Sequence, residues 1–232
     1  TIQPYSPAAG TGLSTHELNQ PGTYKPIRDT SVVAQFRIRE DSLAKSALAK
    51  FRKNDSGNEE PIYFLAWTTT PWTLPSNCAL AVGEKIIYSV VKTFNPYTSK
   101  PVTVVLAKDL IGKYFPEKNA DLNFADYKEG DTNIPFHILG EVPGKELEGI
   151  KYEQLMPYVQ PDGKAFEVII GDFVSTEDGT GIVHTASLFG ADDFRVCKAN
   201  GIASVLVKDE HGNPIPLVDK RGRFVKEVTD FA

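Results

Sequence analysis

Trp67-Thr68-Thr69-Thr70-Pro71-Trp72-Thr73-Leu74-Pro75-Ser76-Asn77 gathers four threonines, two tryptophans, two prolines and an asparagine into eleven residues. It follows directly on residues 62–67, a short and continuously apolar run that reads as a strand buried on both faces. Pro71 and Pro75 cannot donate to a strand ladder, so the strand must stop there. A surface loop rarely carries two indoles, and the segment is expected to turn inward and line a small, polar-walled pocket. In extended chain alternate side chains share a face, which points Thr68 and Thr70 together and Thr69 away, while Pro71 biases Thr70 toward extended backbone. The competing reading makes the threonines plain strand formers, Trp72 a core residue and Asn77 a turn residue.

Outward from this stretch the pattern is mostly β. Val32, Ala34, Phe36 and Ile38 alternate with Gln35, Arg37 and Arg39, predicting a strand over 32–39 with one wet face. Asp41 or Ser42 is placed to cap a helix whose Leu43, Ala44, Ala47, Leu48 and Phe51 share a face, ended by Asn54-Asp55-Ser56-Gly57-Asn58. Residues 85–93 and 102–107 predict a hairpin closed by Asn95-Pro96-Tyr97-Thr98-Ser99. Further strands are expected at 136–141, 165–174, 181–185 and 202–208, and a second helix at 192–200 closed by Gly201. Residues 116–132 and 149–163 read as surface excursions. Many short strands and few helices predict an α+β, β-rich fold with a small β-barrel core and peripheral helices. Residues 1–30, rich in glycine and proline, read as an irregular approach from a neighbouring domain, and 31–232 as the organised domain.

Composition narrows the function classes. A chain of 232 residues with 41% hydrophobic residues has the means to build a real core, and a monomer is expected. The formal charge of −5 opposes tight, nonspecific binding of a polyanion. Lys220, Arg221, Arg223 and Lys226 form a local basic strip, read as a solvated face. There is no run of eighteen apolar residues, and Thr1-Ile2-Gln3-Pro4-Tyr5 has no signal-peptide character, so a cytoplasmic protein without membrane contact is expected. Cys78 and Cys197 lack CxxC spacing, and His16, His137, His184 and His211 show no paired spacing, so no metal is expected.

A second stretch carries chemistry: Gly179-Thr180-Gly181-Ile182-Val183-His184, running on to Gly190-Ala191-Asp192-Asp193. His184 closes a predicted strand, and the flanking glycines let a ligand approach the backbone closely. A satisfied structural histidine is the plain alternative. Asp192 and Asp193 open the second helix, where carboxylates suit the helix dipole. One of them reaching toward His184 and the threonines would offer an anionic partner for an ammonium group. Ser187, His184 and Asp193 do not fit a nucleophile elbow, and no GxxxxGK phosphate loop is present.

Together the two stretches resemble the editing domain of the isoleucyl-tRNA synthetases, the insertion called connective peptide 1. Asn19-Gln20-Pro21-Gly22-Thr23-Tyr24 and Asp29-Thr30-Ser31-Val32-Val33 are similar to the approach to that insertion. Related valyl and leucyl domains typically read threonine, arginine, proline, whereas Thr70 precedes Pro71 here. The resemblance implies a β-barrel core and hydrolysis of valine misattached to the 3′ end of isoleucine tRNA, and leaves open whether valyl-adenylate is cleaved as well. It implies that Thr68, Thr69 and Thr70 bind the terminal adenosine and aminoacyl group, with Thr70 near the reacting centre. Trp72 would shape the side-chain pocket, and Asn77 would contact the substrate or its water. His184 would reject the larger cognate side chain, and Asp193, with Asp192 beside it, would anchor the substrate amino group. Thr185-Ala186-Ser187-Leu188 departs from the alanine and proline usual after the family histidine, which bears on the pocket rim. HIGH and KMSKS signatures are absent, so ATP would serve only a synthetic domain elsewhere, and editing would need no cofactor. The partners implied are the tRNA end and the rest of the synthetase chain. Two alternatives stay open: a noncatalytic module that binds an aminoacyl group or tRNA end, and the editing domain of a valyl or leucyl enzyme.

Overall fold

A computed structural model describes residues 4–6, 8–26, 28, 30–53 and 57–228. Strands β1 (Tyr5–Ser6) and β2 (Thr11–Gly12) pair and lead to α1 (Thr15–Leu18), whose start is held by a reciprocal Ser14–Glu17 capping box. Then follow β3 (Val32–Arg37), α2 (Glu40–Leu43), β4 (Ile62–Thr68), β5 (Ala79–Val82), β6 (Ile87–Phe94), β7 (Pro101–Ala107) and α3 (Ile111–Tyr114). The chain continues through β8 (His137–Pro143), β9 (Glu167–Ile170), β10 (Ile182–Thr185), α4 (Ala191–Ala199), β11 (Leu206–Lys208) and β12 (Pro214–Pro216).

Eight strands make one sheet in the order β8-β6-β7-β4-β10-β5-β9, with β3 antiparallel on the other edge of β4. The predicted hairpin is β6 and β7, in register from Tyr88↔Ala107 to Phe94↔Pro101. The sheet closes on itself through a segment with no strand of its own. Ile38 bridges Tyr152, and Lys151 bridges Glu167. Backbone bonds from Arg39 N to Lys151 O and from Val168 N to Ile150 O flank these bridges. Residues 150–153 thus join β3 to β9, and β3, β4, β10, β5 and β9 form a small barrel filled by Phe36, Phe64, Leu80, Val82, Tyr152 and Ile182. Each such side chain contributes about 1.5–3 kcal/mol of burial.

Two further apolar layers coat the sheet. Val196 and Cys197 of α4 pack with Val205, Val207 and Leu217 against Ala79, Ala81 and Ile169. Ile111, Tyr114 and Phe115 cover Leu65, Val104 and Leu106 on the β6–β7 side.

Several expectations need correction. The helix over 41–51 is only α2 plus a single 3-10 turn at Ala49–Phe51. Ser46 Oγ donates to Leu43 O and accepts from Leu48 N, offering the backbone a turn in place of a helix. Leu43 and Leu48 are nonetheless buried as their spacing implied. Neither Asp41 nor Ser42 caps: the cap position is Arg39, and Ser42 Oγ instead accepts from Lys151 N. The strand over 165–174 shrinks to β9, and that over 202–208 to β11, which pairs with β12 outside the main sheet. Residues 149–163 are no mere excursion, since Ile150 and Tyr152 are core. The stop signal at Asn54-Asp55-Ser56, Asp29 of the approach motif and Thr1-Ile2-Gln3 lie outside the described residues.

Candidate functional site

The two chemistry-bearing stretches meet because β10 lies parallel to β4, with Val183 opposite Trp67. Two glycines make the approach close. At Gly179, φ is +68° and a Cβ would stand 2.8 Å from Trp67 Cε3; at Gly181, φ is +71° and a Cβ would collide with Ala107 Cβ. Between the strand ends opens a cavity of about 420 Å3, walled by Thr68, Thr69, Thr70, Trp72, Thr73, His184, Phe189 and Asp193 among others.

One wall is a hydrogen-bonded polar network. Thr68 Oγ1 accepts from Thr70 N at 3.0 Å and lies 3.3 Å from Thr70 Oγ1, so these two hydroxyls converge as alternation implied. Thr70 sits at φ −123°, ψ 65°, outside the helical region but short of full extension. Thr73 Oγ1 donates to Thr70 O at 2.8 Å and lies 2.9 Å from His184 Nε2. On the far side of the ring, His184 Nδ1 is 2.9 Å from Asn77 Nδ2, which also donates to Ala79 O. Tyr152 OH donates to Asn77 Oδ1 at 2.6 Å. These partners assign one tautomer. Asn77 Nδ2 can only donate, so Nδ1 is bare; Thr73 uses its proton on Thr70 O, so Nε2 carries the ring proton and donates to Thr73. Burial lowers the His184 pKa from 6.5 to about 4, so the ring is neutral at pH 7.

The opposite wall is different. Asp193, in the first turn of α4, accepts one bond, from Ala186 N to Oδ2 at 3.0 Å. Burial raises its pKa above the ordinary carboxylate value, the Ala186 amide opposes this, and Asp192 adds to it. A cation in the cavity would relieve that cost.

The structure therefore brings Thr68, Thr69, Thr70, Trp72, His184 and Asp193 to one cavity. Trp72 is 43% exposed at the rim, edge-on to Phe189 with ring centroids 5.6 Å apart, and is not a core residue. Asn77 stands behind His184 and is not among the cavity-wall residues. Asp192 points away, exposed, to Arg195 at 3.3 Å, while Arg195 also grips Asp172 at 2.6 Å. Three residues that build the site, Thr73, Phe189 and Tyr152, had no role assigned from the sequence. Thr73 lay within the quoted stretch, and its place one helical turn beyond Thr70 was the available signal; Tyr152 had none. Cys78, just before β5, and Cys197 of α4 are free thiols whose sulfurs lie 3.6 Å apart. Among the described residues no cluster of three or more metal-ligating side chains occurs, and no helix is long and apolar enough to cross a membrane.

No protein-family model matches the chain. Against curated proteins, it is 67% identical over 232 residues to an isoleucine–tRNA ligase of Cytophaga hutchinsonii, covering 100% of this chain and 20% of that protein. It is 54% identical over 224 residues to that of Bacteroides fragilis, covering 97% and 19%, and 33% identical over 231 residues to that of Thermoplasma acidophilum, covering 99% and 18%. The chain thus spans about a fifth of the length of the curated relatives it matches. Among solved structures, the editing domain of the P. knowlesi cytosolic leucyl-tRNA synthetase superposes with a TM-score of 0.52 at 14% identity, over 78% of this chain and 73% of that one. GlLeuRS-CP1 gives 0.51 at 16% identity, over 81% and 70%. At such identities the likeness is one of fold.

Proposed function

From the premise that the chain belongs with the isoleucine–tRNA ligases, as a segment with the editing-domain fold, we propose that it hydrolyses valine misattached to isoleucine tRNA. The observation that supports this most is the convergence of Thr70, His184 and Asp193 on one cavity. Asp193 grips the substrate ammonium. Thr70 Oγ1 lies 3.3 Å from Thr68 Oγ1 and 3.4 Å from Thr73 Oγ1, and Thr73 donates to Thr70 O; with Thr68 as donor to Thr70, the Thr70 hydroxyl proton turns to the ester carbonyl as it gains negative charge. Water adds to that carbonyl, the ribose oxygen leaves as a hydroxyl, and the amino acid is released. Aminoacyl esters are already reactive, so holding water and ester in line supplies much of the rate without a covalent nucleophile.

His184 serves here as wall rather than base. Its Nδ1 is occupied by Asn77 and its Nε2 proton is committed to Thr73, so neither nitrogen is free to take a proton from water. A rigid imidazole held on both sides sets the cavity's depth. One added methylene is worth only about 0.8 kcal/mol by burial, so a pocket sized for isoleucine admits valine. A pocket sized for valine refuses isoleucine by overpacking, at roughly 1–3 kcal/mol. The rest of the ligase chain would bring the tRNA end, in keeping with this segment's acidic balance, with residues 1–30 as the approach to a domain over 31–232.

The chain added to valyl-tRNA of the isoleucine type should raise deacylation above the buffer rate, leaving isoleucyl-tRNA intact. No increase at any protein concentration refutes the activity, and binding of a nonhydrolysable valyl-adenosine without turnover would leave a noncatalytic binding module. His184→Ala should open the pocket, raising isoleucyl-tRNA deacylation relative to valyl by roughly 5- to 150-fold, the span that overpacking energies allow. An unchanged ratio removes His184 from the sieve.

A further inference from the structure

The hydrogen bonds around His184 run in one direction, from the barrel core to the cavity. Tyr152 OH donates to Asn77 Oδ1, Asn77 Nδ2 donates to His184 Nδ1, His184 Nε2 donates to Thr73, and Thr73 donates to Thr70 O. Reversing any link reverses those beyond it. If the Asn77 amide turned over, its oxygen would face both Ala79 O and His184 Nδ1. The ring would then have to move its proton to Nδ1, and Thr73 would turn its own proton onto the bared Nε2, releasing Thr70 O. The orientation of one buried amide therefore decides which proton lies on the cavity wall. Two groups hold it: the Ala79 carbonyl, which is backbone, and the Tyr152 hydroxyl, which is side chain.

We propose that Tyr152 is a positioning residue: by donating to Asn77 it keeps His184 in the Nε2–H tautomer and so fixes the Thr73 hydroxyl and the depth of the cavity. Its surroundings make it a rigid anchor. Tyr152 is 1% exposed, sits edge-on to Phe36 with centroids 5.3 Å apart and to Phe166 at 6.2 Å, and its backbone closes the barrel between Ile38 and β9. A network whose members are all satisfied resists rearrangement, and removing one donor leaves a buried acceptor unpaired. The inference about substrate choice rests on the editing reading; the inference about the tautomer does not.

Tyr152→Phe tests it, because phenylalanine keeps both ring contacts and the backbone closure and removes only the donor. Long-range 1H–15N spectra of the histidines at neutral pH should show His184 purely Nε2-protonated in the unaltered chain, and a mixture of tautomers in Tyr152→Phe. The ratio of valyl- to isoleucyl-tRNA deacylation should fall roughly 2- to 10-fold, the worth of one hydrogen bond. A folded Tyr152→Phe with a single Nε2–H tautomer overturns the proposal, as does an Nδ1–H ring in the unaltered chain. Mixed tautomers with an unchanged ratio overturn the consequence for substrate choice. If Tyr152→Phe does not fold, 3-fluorotyrosine at 152, a stronger donor of similar size, must shift the His184 Nδ1 resonance, and no shift overturns the proposal. Should the tautomer result hold while the unaltered chain fails to deacylate valyl-tRNA, the editing reading falls and the positioning role stands.

Discussion

The two walls of the cavity contain similar polar groups used in opposite ways. On the His184 wall both ring nitrogens and the Thr73 hydroxyl have protein partners, as does the Asn77 amide behind them. On the Asp193 wall a carboxylate accepts a single backbone bond and is driven by burial toward its neutral form. Satisfied groups resist displacement and so define a shape; an under-satisfied charge gains from a partner and so defines a ligand. Selection by size belongs to the first wall and affinity to the second, and changes on the two walls should therefore differ in kind.

The largest effect is expected on the Asp193 wall. Asp193→Asn keeps an oxygen for Ala186 N and removes only the charge. Affinity for a nonhydrolysable valyl-adenosine should fall by about 2–3 kcal/mol, roughly 30- to 150-fold, as for a hydrogen-bonded charge pair losing one partner. Calorimetry against the analogue lacking its amino group provides the contrast, since that ligand should bind both proteins alike. Equal losses for the two ligands would mean that Asp193 shapes the wall as His184 does, and the distinction would break.

Next comes the acid response of the His184 wall. Its folded pKa, about 4, lies below the ordinary 6.5, so the neutral ring contributes stability that is fully present above pH 6.5 and lost as pH falls through about 4. The difference corresponds to up to about 3 kcal/mol. Denaturant midpoints across that window should drop more steeply for the unaltered chain than for His184→Gln, which has no proton to take up. Parallel curves would show a histidine that water reaches, and a wall less closed than its hydrogen bonds indicate.

How much of this was legible in the sequence follows the same division. The cavity-facing groups lay in two contiguous stretches, and alternation alone paired Thr68 with Thr70. The supporting groups were scattered: Tyr152 lies 75 residues from Asn77 along the chain, in a segment too irregular to show a period. Strand β5, whose Ala79 carbonyl accepts from Asn77 and which pairs with both β9 and β10, is hidden in the sequence because Ala79-Leu80-Ala81-Val82 is buried on both faces and shows no alternation, and alanine is a poor strand former. The helix expected over 41–51 had four of its five apolar residues right, Leu43, Ala47, Leu48 and Phe51, with Ala44 exposed, but the wrong backbone, where the Ser46 hydroxyl holds a turn instead. A β-rich barrel was legible from the many short strands, yet the hairpin β6–β7 lies outside it and its closure runs through residues 150–153, where only backbone bonds reveal it.

The smallest effect sharpens the comparison most, because it concerns a neighbour of the residue with the largest. Asp192 and Asp193 both open α4, and the sequence offers no reason beyond the resemblance to rank one above the other. Their environments differ. Asp192 is exposed and shares Arg195 with Asp172, which holds the guanidinium more closely, at 2.6 Å against 3.3 Å. Exposed pairs of this kind contribute little, and Arg195 keeps its better partner when Asp192 is lost. The remaining influence of Asp192 is its charge beside Asp193, which helps raise the Asp193 pKa. Asp192→Asn should therefore leave valyl-adenosine affinity within about twofold at neutral pH and shift its acid limb slightly lower, since Asp193 would ionise more readily. A loss approaching that of Asp193→Asn would place the ammonium between the two carboxylates, and the anionic wall would be a pair rather than a single group.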